Sequence, residues 1–366
     1  MKLCIDARPL LGNMTGIATY VYHLVKNLSQ VDREMIIKCF YSSLKGKKPG
    51  HFENNYKIEE YRYFIPNRLL NYLWSYPGLP KVEWLTGDAD IIHATNYYYM
   101  PHTKKSRLVT TVHDLNFIKN SRLASGDIKN IISKRLGRFL EKSCFIITLS
   151  NAVKNDILMH YSGIDESRIR PVYVGLDPYY SNHEKNMDPI IGGDYILSVG
   201  SFIPRKNFKS LIDAFRQVSR SGLKGMKLVI AGPVPGKIKK SIKEYAGENT
   251  IIFDYISRES LINLYKYARL FVMPSFDEGF CIPVIEAQSM GIPVLISDIP
   301  VFHEIAGDSA VYFPPGDIQA LADAMVWLIE NEEGQKALAR RGHENIKRYD
   351  WADTAKRHLE IYRECM

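Results

Sequence analysis

Apolar and polar positions along the 366 residues alternate between two rhythms. Short apolar runs read as buried strands, and the stretches between them repeat at helical spacing. The runs predict strands at Lys2–Ile5, Met35–Tyr41, Ile91–His93, Leu108–Val112, Phe145–Thr148 and Arg170–Tyr173. Helical spacing predicts helices at Gly16–Leu28, Lys129–Lys142 and Ala152–Tyr161, the last opened by Ser150. The polar stretch Ser181–Gly193 reads as a linker, and a second series follows it. Strands are expected at Tyr195–Val199, Lys227–Ala231, Ile251–Phe253, Leu270–Met273 and Val294–Ser297. Helices are expected at Phe208–Ser219, Glu259–Tyr267, Pro283–Met290 and Ile318–Glu330.

Strands alternating with helices at this spacing give parallel sheets with right-handed crossovers and helices on both faces. The fold class is therefore α/β, with two Rossmann-like doubly wound domains facing a central cleft. The first spans 1–180 and the second 190–350. Trp351–Met366 is helical by pattern, and periodicity fits either a cap on the second domain or a return to the first.

Composition narrows the class. A hydrophobic fraction of 46% with 24% charged residues belongs to a globular chain. No apolar run approaches the roughly 20 residues of a membrane span, and Asp6 interrupts the amino-terminal apolar residues too early for a signal peptide. The five cysteines are scattered and in no metal-ligand spacing. Most sit in apolar contexts, so buried thiols in a reducing cytoplasm are expected. The net charge of +8 is lopsided: residues 1–183 carry 25 Lys+Arg against 16 Asp+Glu, and residues 184–366 carry 23 against 24. The first half is therefore expected to face something anionic, such as a membrane leaflet. Its basic residues are not interleaved with aromatics in any nucleic-acid module, so nucleic acid is not an expected partner.

Candidate chemistry gathers at strand ends. Glu278 falls in the loop after Leu270–Met273, and Glu286 falls one turn inside the next helix, which Pro283 helps to start. Open α/β sheets bind ligands at this edge, and a helix amino terminus attracts phosphate. Arg205 and Lys206 lie between a strand and a helix, with Asn207 a suitable N-cap, and two such cations suit a diphosphate. Gly12 and Gly16 let backbone approach a phosphate, although neither dinucleotide nor P-loop spacing is present. His113, followed by Asp114, ends a strand and can donate to a hydroxyl or a forming oxyanion. His93 is a second such histidine. Asp88-Ala89-Asp90 copies a metal-binding pattern but reads as surface loop. Tyr61–Pro80 is rich in aromatics and reads first as an amphipathic helix on its own domain. Its alternative, a membrane-facing segment, gains from Lys45, Lys47, Lys48, Lys104 and Lys105.

Taken together, Glu278-Gly279-Phe280 through Glu286, Gly200 through Asn207, and Gly291-Ile292-Pro293-Val294 resemble the retaining family 4 glycosyltransferases of the GT-B architecture. The resemblance runs from Ile5-Asp6-Ala7-Arg8 to Trp351. It implies that Glu278 meets donor-sugar hydroxyls, Glu286 the ribose, and Arg205 and Lys206 the diphosphate. It further implies that the amide of Gly16 approaches the diphosphate from the other domain and that His113 contacts the sugar. Tyr255 and Ile256 would meet the base, and Ser201, Gly279, Phe280 and Cys281 would line the donor site. Ser201 departs from the arginine that many members carry there. The resemblance also makes 1–180 the acceptor side and 190–350 the nucleotide-sugar-binding domain, and it returns the helix 352–366 to the first. Pro204-Arg205-Lys206-Asn207 and His93-Ala94-Thr95-Asn96 look most like bacterial mannosyltransferases of polysaccharide assembly. That implies GDP-mannose as donor, a lipid-linked saccharide as acceptor, no cofactor, no required metal, and a peripheral place at the inner membrane face. The alternatives are a UDP-sugar donor, a phosphorylase on the same architecture, or a non-catalytic sugar-nucleotide or polyanion binder.

Overall fold

A computed structural model describes residues 1–12, 14–44, 52, 57–119, 126–181, 188–221 and 225–366. The chain divides into two compact units, Met1–Gly175 with Tyr349–Met366, and Leu176–Arg348. Of the expected linker, 182–187 lie outside the described residues, as do Lys45, Lys47 and Lys48.

In the first unit the strands are β1 (Lys2–Asp6), β2 (Ile36–Ser42), β3 (Ile58–Tyr63), β4 (Ile91–Ala94), β5 (Arg107–Val112), β6 (Phe145–Thr148) and β7 (Ile169–Pro171). Its helices are α1 (Gly16–Val31), α2 (Asn67–Ser75), α3 (Val82–Thr86), α4 (Asn116–Lys119), α5 (Gly126–Lys142) and α6 (Asn151–His160). Thr15 caps α1 by accepting the Ala18 amide, as an N-cap hydroxyl should. The sheet is wholly parallel in the order β3-β2-β1-β4-β5-β6-β7. The chain starts at mid-sheet, winds out to β3, and returns to β4 on the other side of β1. Loops leaving β1 and β4 therefore part in opposite directions and open a crevice.

The second unit repeats the scheme. It holds α7 (Pro178–Ser181), β8 (Tyr195–Val199), α8 (Phe208–Ser221), β9 (Lys227–Ala231), α9 (Lys239–Ala246), β10 (Thr250–Phe253), α10 (Arg258–Tyr267) and β11 (Leu270–Met273). After these come α11 (Ile282–Ser289), β12 (Val294–Ser297), α12 (Pro300–Ala306), β13 (Val311–Phe313), α13 (Ile318–Glu330) and α14 (Glu332–Ile346). The parallel order β10-β9-β8-β11-β12-β13 puts the reversal between β8 and β11. One core joins the α8 face, Leu211, Ile212 and Phe215, to strand residues Leu228, Ile230 and Val272.

The last helix, α15 (Trp351–Cys365), packs on α1 within the first unit. Gly175 is needed there, because a Cβ on it would lie 2.3 Å from the Trp351 nitrogen. A buried polar chain fastens the helix. His358 Nδ1 contacts the Thr354 carbonyl at 2.7 Å, so that nitrogen carries the proton and Nε2 accepts from Tyr20 Oη at 2.8 Å. Tyr20 then accepts from Thr111, which accepts from His93 Nε2, whose Nδ1 accepts from Tyr362 Oη. Every member is satisfied, and both imidazoles are neutral. Burial pulls His93 well below its usual value and His358 down to about 4.

Several elements differ from the sequence expectation. The charged, alternating Ile58–Tyr63 forms edge strand β3, where polar residues blunt an exposed ladder. The aromatic stretch does contain a helix, α2, which buries Leu70 and Trp74 and exposes Leu69 and Tyr72, with exposed Tyr76 just past its end. Strand β13 and helices α9, α12 and α14 were not expected, because they are short or strongly polar. The cysteines are not all thiols: Cys144 and Cys365 are joined as a disulfide, Cα atoms 6.1 Å apart, while Cys4, Cys39 and Cys281 are free and buried. The two partners stand 221 positions apart, so spacing gave no sign of the pair.

The neutral histidines tie stability to pH. Their native pKa values lie below the unfolded value, so the unfolded chain binds more protons as pH falls from about 6.5 toward 4. Denaturant titration of the first unit is expected to lose about 3 kcal/mol across that window for His358 alone, at about 1.4 kcal/mol per pKa unit. In His358→Gln the slope between pH 7 and 4.5 should shrink, and an unchanged slope would remove the histidine from this role.

Candidate functional site

The β8 and β11 loops meet at the reversal of the second sheet. Past β8 the chain turns at Gly200 and passes Ser201 to a short 3-10 turn, Pro204–Lys206. Gly232 backs this turn so closely that a Cβ on it would lie 2.1 Å from the Gly200 carbonyl oxygen. Asn207 adopts a left-handed conformation, φ 53°, and its Oδ1 accepts from the Ser210 hydroxyl at 2.8 Å rather than from a backbone amide. Past β11, the Phe276 amide donates to the Arg205 carbonyl at 2.8 Å, stitching the two loops together.

That stitch brings three predicted residues into one cluster. Glu278 is buried, at 5% exposure, with Lys206 Nζ 2.6 Å from its Oε1 and Arg205 paired with its Oε2. Ser275 Oγ donates to Oε1 at 2.6 Å, and Arg205 also donates to the Asp277 carbonyl at 3.0 Å. Burial alone would raise the Glu278 pKa. Lys206 and then Arg205 outweigh it and hold the carboxyl at about 2. The cluster thus sets one anion between two cations, for a net charge of +1.

Glu286 lives in the opposite environment. It is buried in α11, and its Oε2 accepts from Tyr265 Oη at 2.8 Å. Burial, the largest influence, raises its pKa to about 7; the Tyr265 and Tyr180 hydroxyls bonded to it lower it only in part. Both protonation states are populated near neutrality. The Cys281 residue that opens α11 is itself held at φ 83°, a left-handed backbone that few non-glycine residues adopt.

Other expected residues take varied places. Gly279, Phe280 and Cys281 are buried between Glu278 and α11, and Ser201 is half-buried. Tyr255 and Ile256 follow β10, with Tyr255 exposed. Gly16 and His113 belong to the first unit. Gly16 is the exposed first residue of α1, and His113 is buried beyond β5. His113 Nε2 contacts the Thr95 carbonyl at 2.8 Å, so it carries the proton. Burial lowers the pKa, leaving Nδ1 an acceptor. The expected donation to a hydroxyl is corrected here, since the one N–H of the neutral ring is already spent. Asp114 accepts from the Asn116 amide at 3.0 Å and serves its own loop. His93 is committed to the α15 fastening. Asp90 accepts the Lys2 amide at 2.7 Å, as a structural loop residue does.

Sequence reasoning gave no role to Ser275, three positions before Glu278, nor to Tyr180 and Tyr265, which only the fold brings to Glu286. Among the described residues no group of three His, Cys, Asp or Glu is placed to hold a metal ion, and no helix is long and apolar enough to cross a membrane.

Comparison with known proteins follows this division. A family model described as "Glycosyl transferases group 1" matches residues 185–345, and one described as "Glycosyltransferase Family 4" matches residues 14–179. The chain is 24% identical to the O-antigen chain mannosyltransferase B of Escherichia coli, over 99% of this chain and 100% of that protein. It is 29% identical to the O-antigen chain mannosyltransferase RfbU of Salmonella typhimurium, over 68% and 70%. Its fold is similar to a sucrose-phosphate synthase of Thermosynechococcus elongatus, with TM-score 0.76, 18% identity and coverage of 100% and 98%. It is also similar to HepE of Anabaena, in complex with UDP and glucose, with TM-score 0.73, 16% identity and full coverage of both chains. These neighbours identify the two doubly wound sheets as the GT-B fold.

The cluster around Glu278 has a stability consequence. Glu278→Ala would leave Arg205 and Lys206 together without their anion, so it should destabilise the second unit by about 3–5 kcal/mol. Denaturation midpoints of Glu278→Ala and Glu278→Gln measure the effect, and wild-type stability in both would contradict it.

Proposed function

Because the chain belongs to the family 4 glycosyltransferases, we propose that it transfers mannose from GDP-mannose to a lipid-linked saccharide, with retention of configuration. The observation that carries this reading is the Arg205–Glu278–Lys206 cluster at the sheet reversal. Mannose and polysaccharide assembly are supported by the relatives, both O-antigen chain mannosyltransferases by name.

In this reading Glu278, ionised at any working pH, accepts hydrogen bonds from donor-sugar hydroxyls. Arg205 and Lys206 donate to the diphosphate, and their hold strengthens as charge grows on the leaving oxygen. His113 accepts from a sugar hydroxyl through Nδ1. Glu286 accepts from the ribose, Gly16 offers its amide, and the base lies along Tyr255 and Ile256. The bond between C1 and the phosphate oxygen breaks as the acceptor oxygen forms its bond on the same face. The acceptor proton passes to the departing phosphate, so no separate base, covalent intermediate or metal is invoked. Exposed Tyr72, Tyr76 and Trp84, with Lys104 and Lys105, support a peripheral place at the inner face of a membrane.

A UDP-sugar donor is the second reading, favoured by the HepE complex with UDP-glucose. Thermal-shift measurement separates the two, since a ligand at about 100 times its Kd adds about 2.7 kcal/mol. GDP-mannose is expected to protect and UDP-glucose not. The reverse result replaces the donor, and protection without turnover makes the chain a binder. Lys206→Ala is expected to lower kcat by about 10²–10³, the usual effect of removing one transition-state contact. Turnover near wild type would deny Lys206 its role.

The pKa of about 7 at Glu286 sets a second expectation. The carboxylate accepts hydroxyls more strongly than the protonated acid, which turns one oxygen into a donor, so donor affinity should fall as pH drops below 7. Calorimetric titration at pH 8 and pH 6 checks this, and Glu286→Gln should bind weakly and equally at both.

A further inference from the structure

Two tyrosines reach Glu286 from separate helices. Tyr265 lies in the last turn of α10, fully buried, and donates to Oε2 at 2.8 Å. Tyr180 lies in α7, also buried, and its hydroxyl bonds the same carboxyl. Their rings meet edge to face, with centroids 5.7 Å apart, and Phe271 of β11 backs Tyr265 at 5.9 Å. Asp177 anchors α7: its Oδ1 accepts from the Tyr179 amide at 3.0 Å, and its Oδ2 pairs with Arg258 of α10. The Arg258 guanidinium also lies 4.2 Å from the Tyr179 ring centroid. One ion pair and one shared carboxyl therefore tie α7 to α10.

The phenols act here as donors. Burial, and then the charge of Glu286, push both hydroxyls well above the usual phenol value, so each keeps its proton. The other titratable groups around α11 are otherwise engaged. Asp177 and Arg258 act on Glu286 in opposite senses and are paired with each other. The Cys281 thiol, pushed up to about 12 by burial, is neutral. Arg205, Lys206 and Glu278 close on one another. On the far flanks α14 meets α11 through Asn345, which donates to Gln288 Oε1 at 2.7 Å, and sets His343 beside Gly291. Helix α12 carries Glu304 and His303, the latter paired with Asp298 at 2.6 Å, and β11 and β12 carry no ionisable side chain.

We propose that Tyr265 and Tyr180 are positioning residues for nucleotide binding: they fix the Glu286 carboxyl in place and keep it a carboxylate for the ribose. A hydrogen bond to the charged form favours that form, so removing a hydroxyl lets burial prevail further. The role in nucleotide binding rests on the reading of Glu286 as the ribose contact. The hold of the tyrosines on the carboxyl does not.

The test uses the full chain as wild type, Tyr265→Phe, Tyr180→Phe and Tyr195→Phe. Each change keeps the ring and removes the hydroxyl. Tyr195 is the control, since it is buried in the same unit but donates to the Leu264 carbonyl at 2.7 Å. Calorimetry reads GDP-mannose affinity between pH 6 and 8.5. Carboxyl-carbon NMR reads the ligand-free acid, with the Glu286 signal identified by its loss in Glu286→Gln. Both midpoints are expected to rise by about one pH unit in Tyr265→Phe and in Tyr180→Phe, the order of one hydrogen bond to a charged group. At pH 7 the same shift weakens GDP-mannose binding about fivefold. Tyr195→Phe should keep the wild-type midpoints. Either test variant alone decides the matter if the other does not fold. Wild-type midpoints in the test variants, or an equal shift in Tyr195→Phe, would overturn the inference. Shifted carboxyl midpoints with a pH-independent affinity would instead remove the ribose reading and leave the tyrosine hold in place.

Discussion

A parallel sheet whose crossovers are all right-handed can place its first strand in the middle only by reversing its winding once. At that reversal two neighbouring strands send their loops apart, and no element of the sheet fills the space between them. Both units of this chain obey the constraint, at β1/β4 and at β8/β11. Chemistry follows the gap in the second unit, which lines it with an ionised cluster.

The charged cluster depends on backbone as much as on side chains. Burying a carboxylate and two cations is costly unless their geometry is good. Here Gly232 admits the β8 turn, and the Phe276 amide fixes Arg205 relative to the β11 loop. Ser275 completes the hydrogen bonding of Glu278. Because each partner occupies the others, the side chains are held in place before any ligand arrives. Such preorganisation is what an electrostatic site for a developing anion requires.

Much of this was legible in the sequence, for reasons that can be stated. Buried strands such as Phe145–Thr148 and Tyr195–Val199 are continuous apolar runs, and their observed limits match the expected ones. The reversal-point loops showed themselves through Glu278, Arg205 and Lys206, because charged residues beside buried strands are uncommon without a task. Less local features stayed hidden. The edge strand β3 looks polar because one side of it has no neighbour. The Tyr265 and Tyr180 hydroxyls on Glu286, and the pairing of Cys144 with Cys365, depend on contacts between distant segments. The tautomer of His113 depends on a carbonyl eighteen positions away. Periodicity along the chain carries none of these.

Glu278 and Glu286 show how one sequence motif yields two different acids. The same side chain, eight residues along, moves from a pKa of about 2 to one of about 7. Burial raises both. What differs is the partner: two cations at Glu278, and neutral phenols at Glu286, with Asp177 and Arg258 nearby acting in opposite senses. A fixed anion suits a position that must hold cations in register through a reaction. A carboxyl poised near neutrality suits a position where a neutral ligand supplies hydroxyl donors, because hydrogen bonds to the charged form favour that form. The difference in acidity between the two glutamates therefore follows from their surroundings.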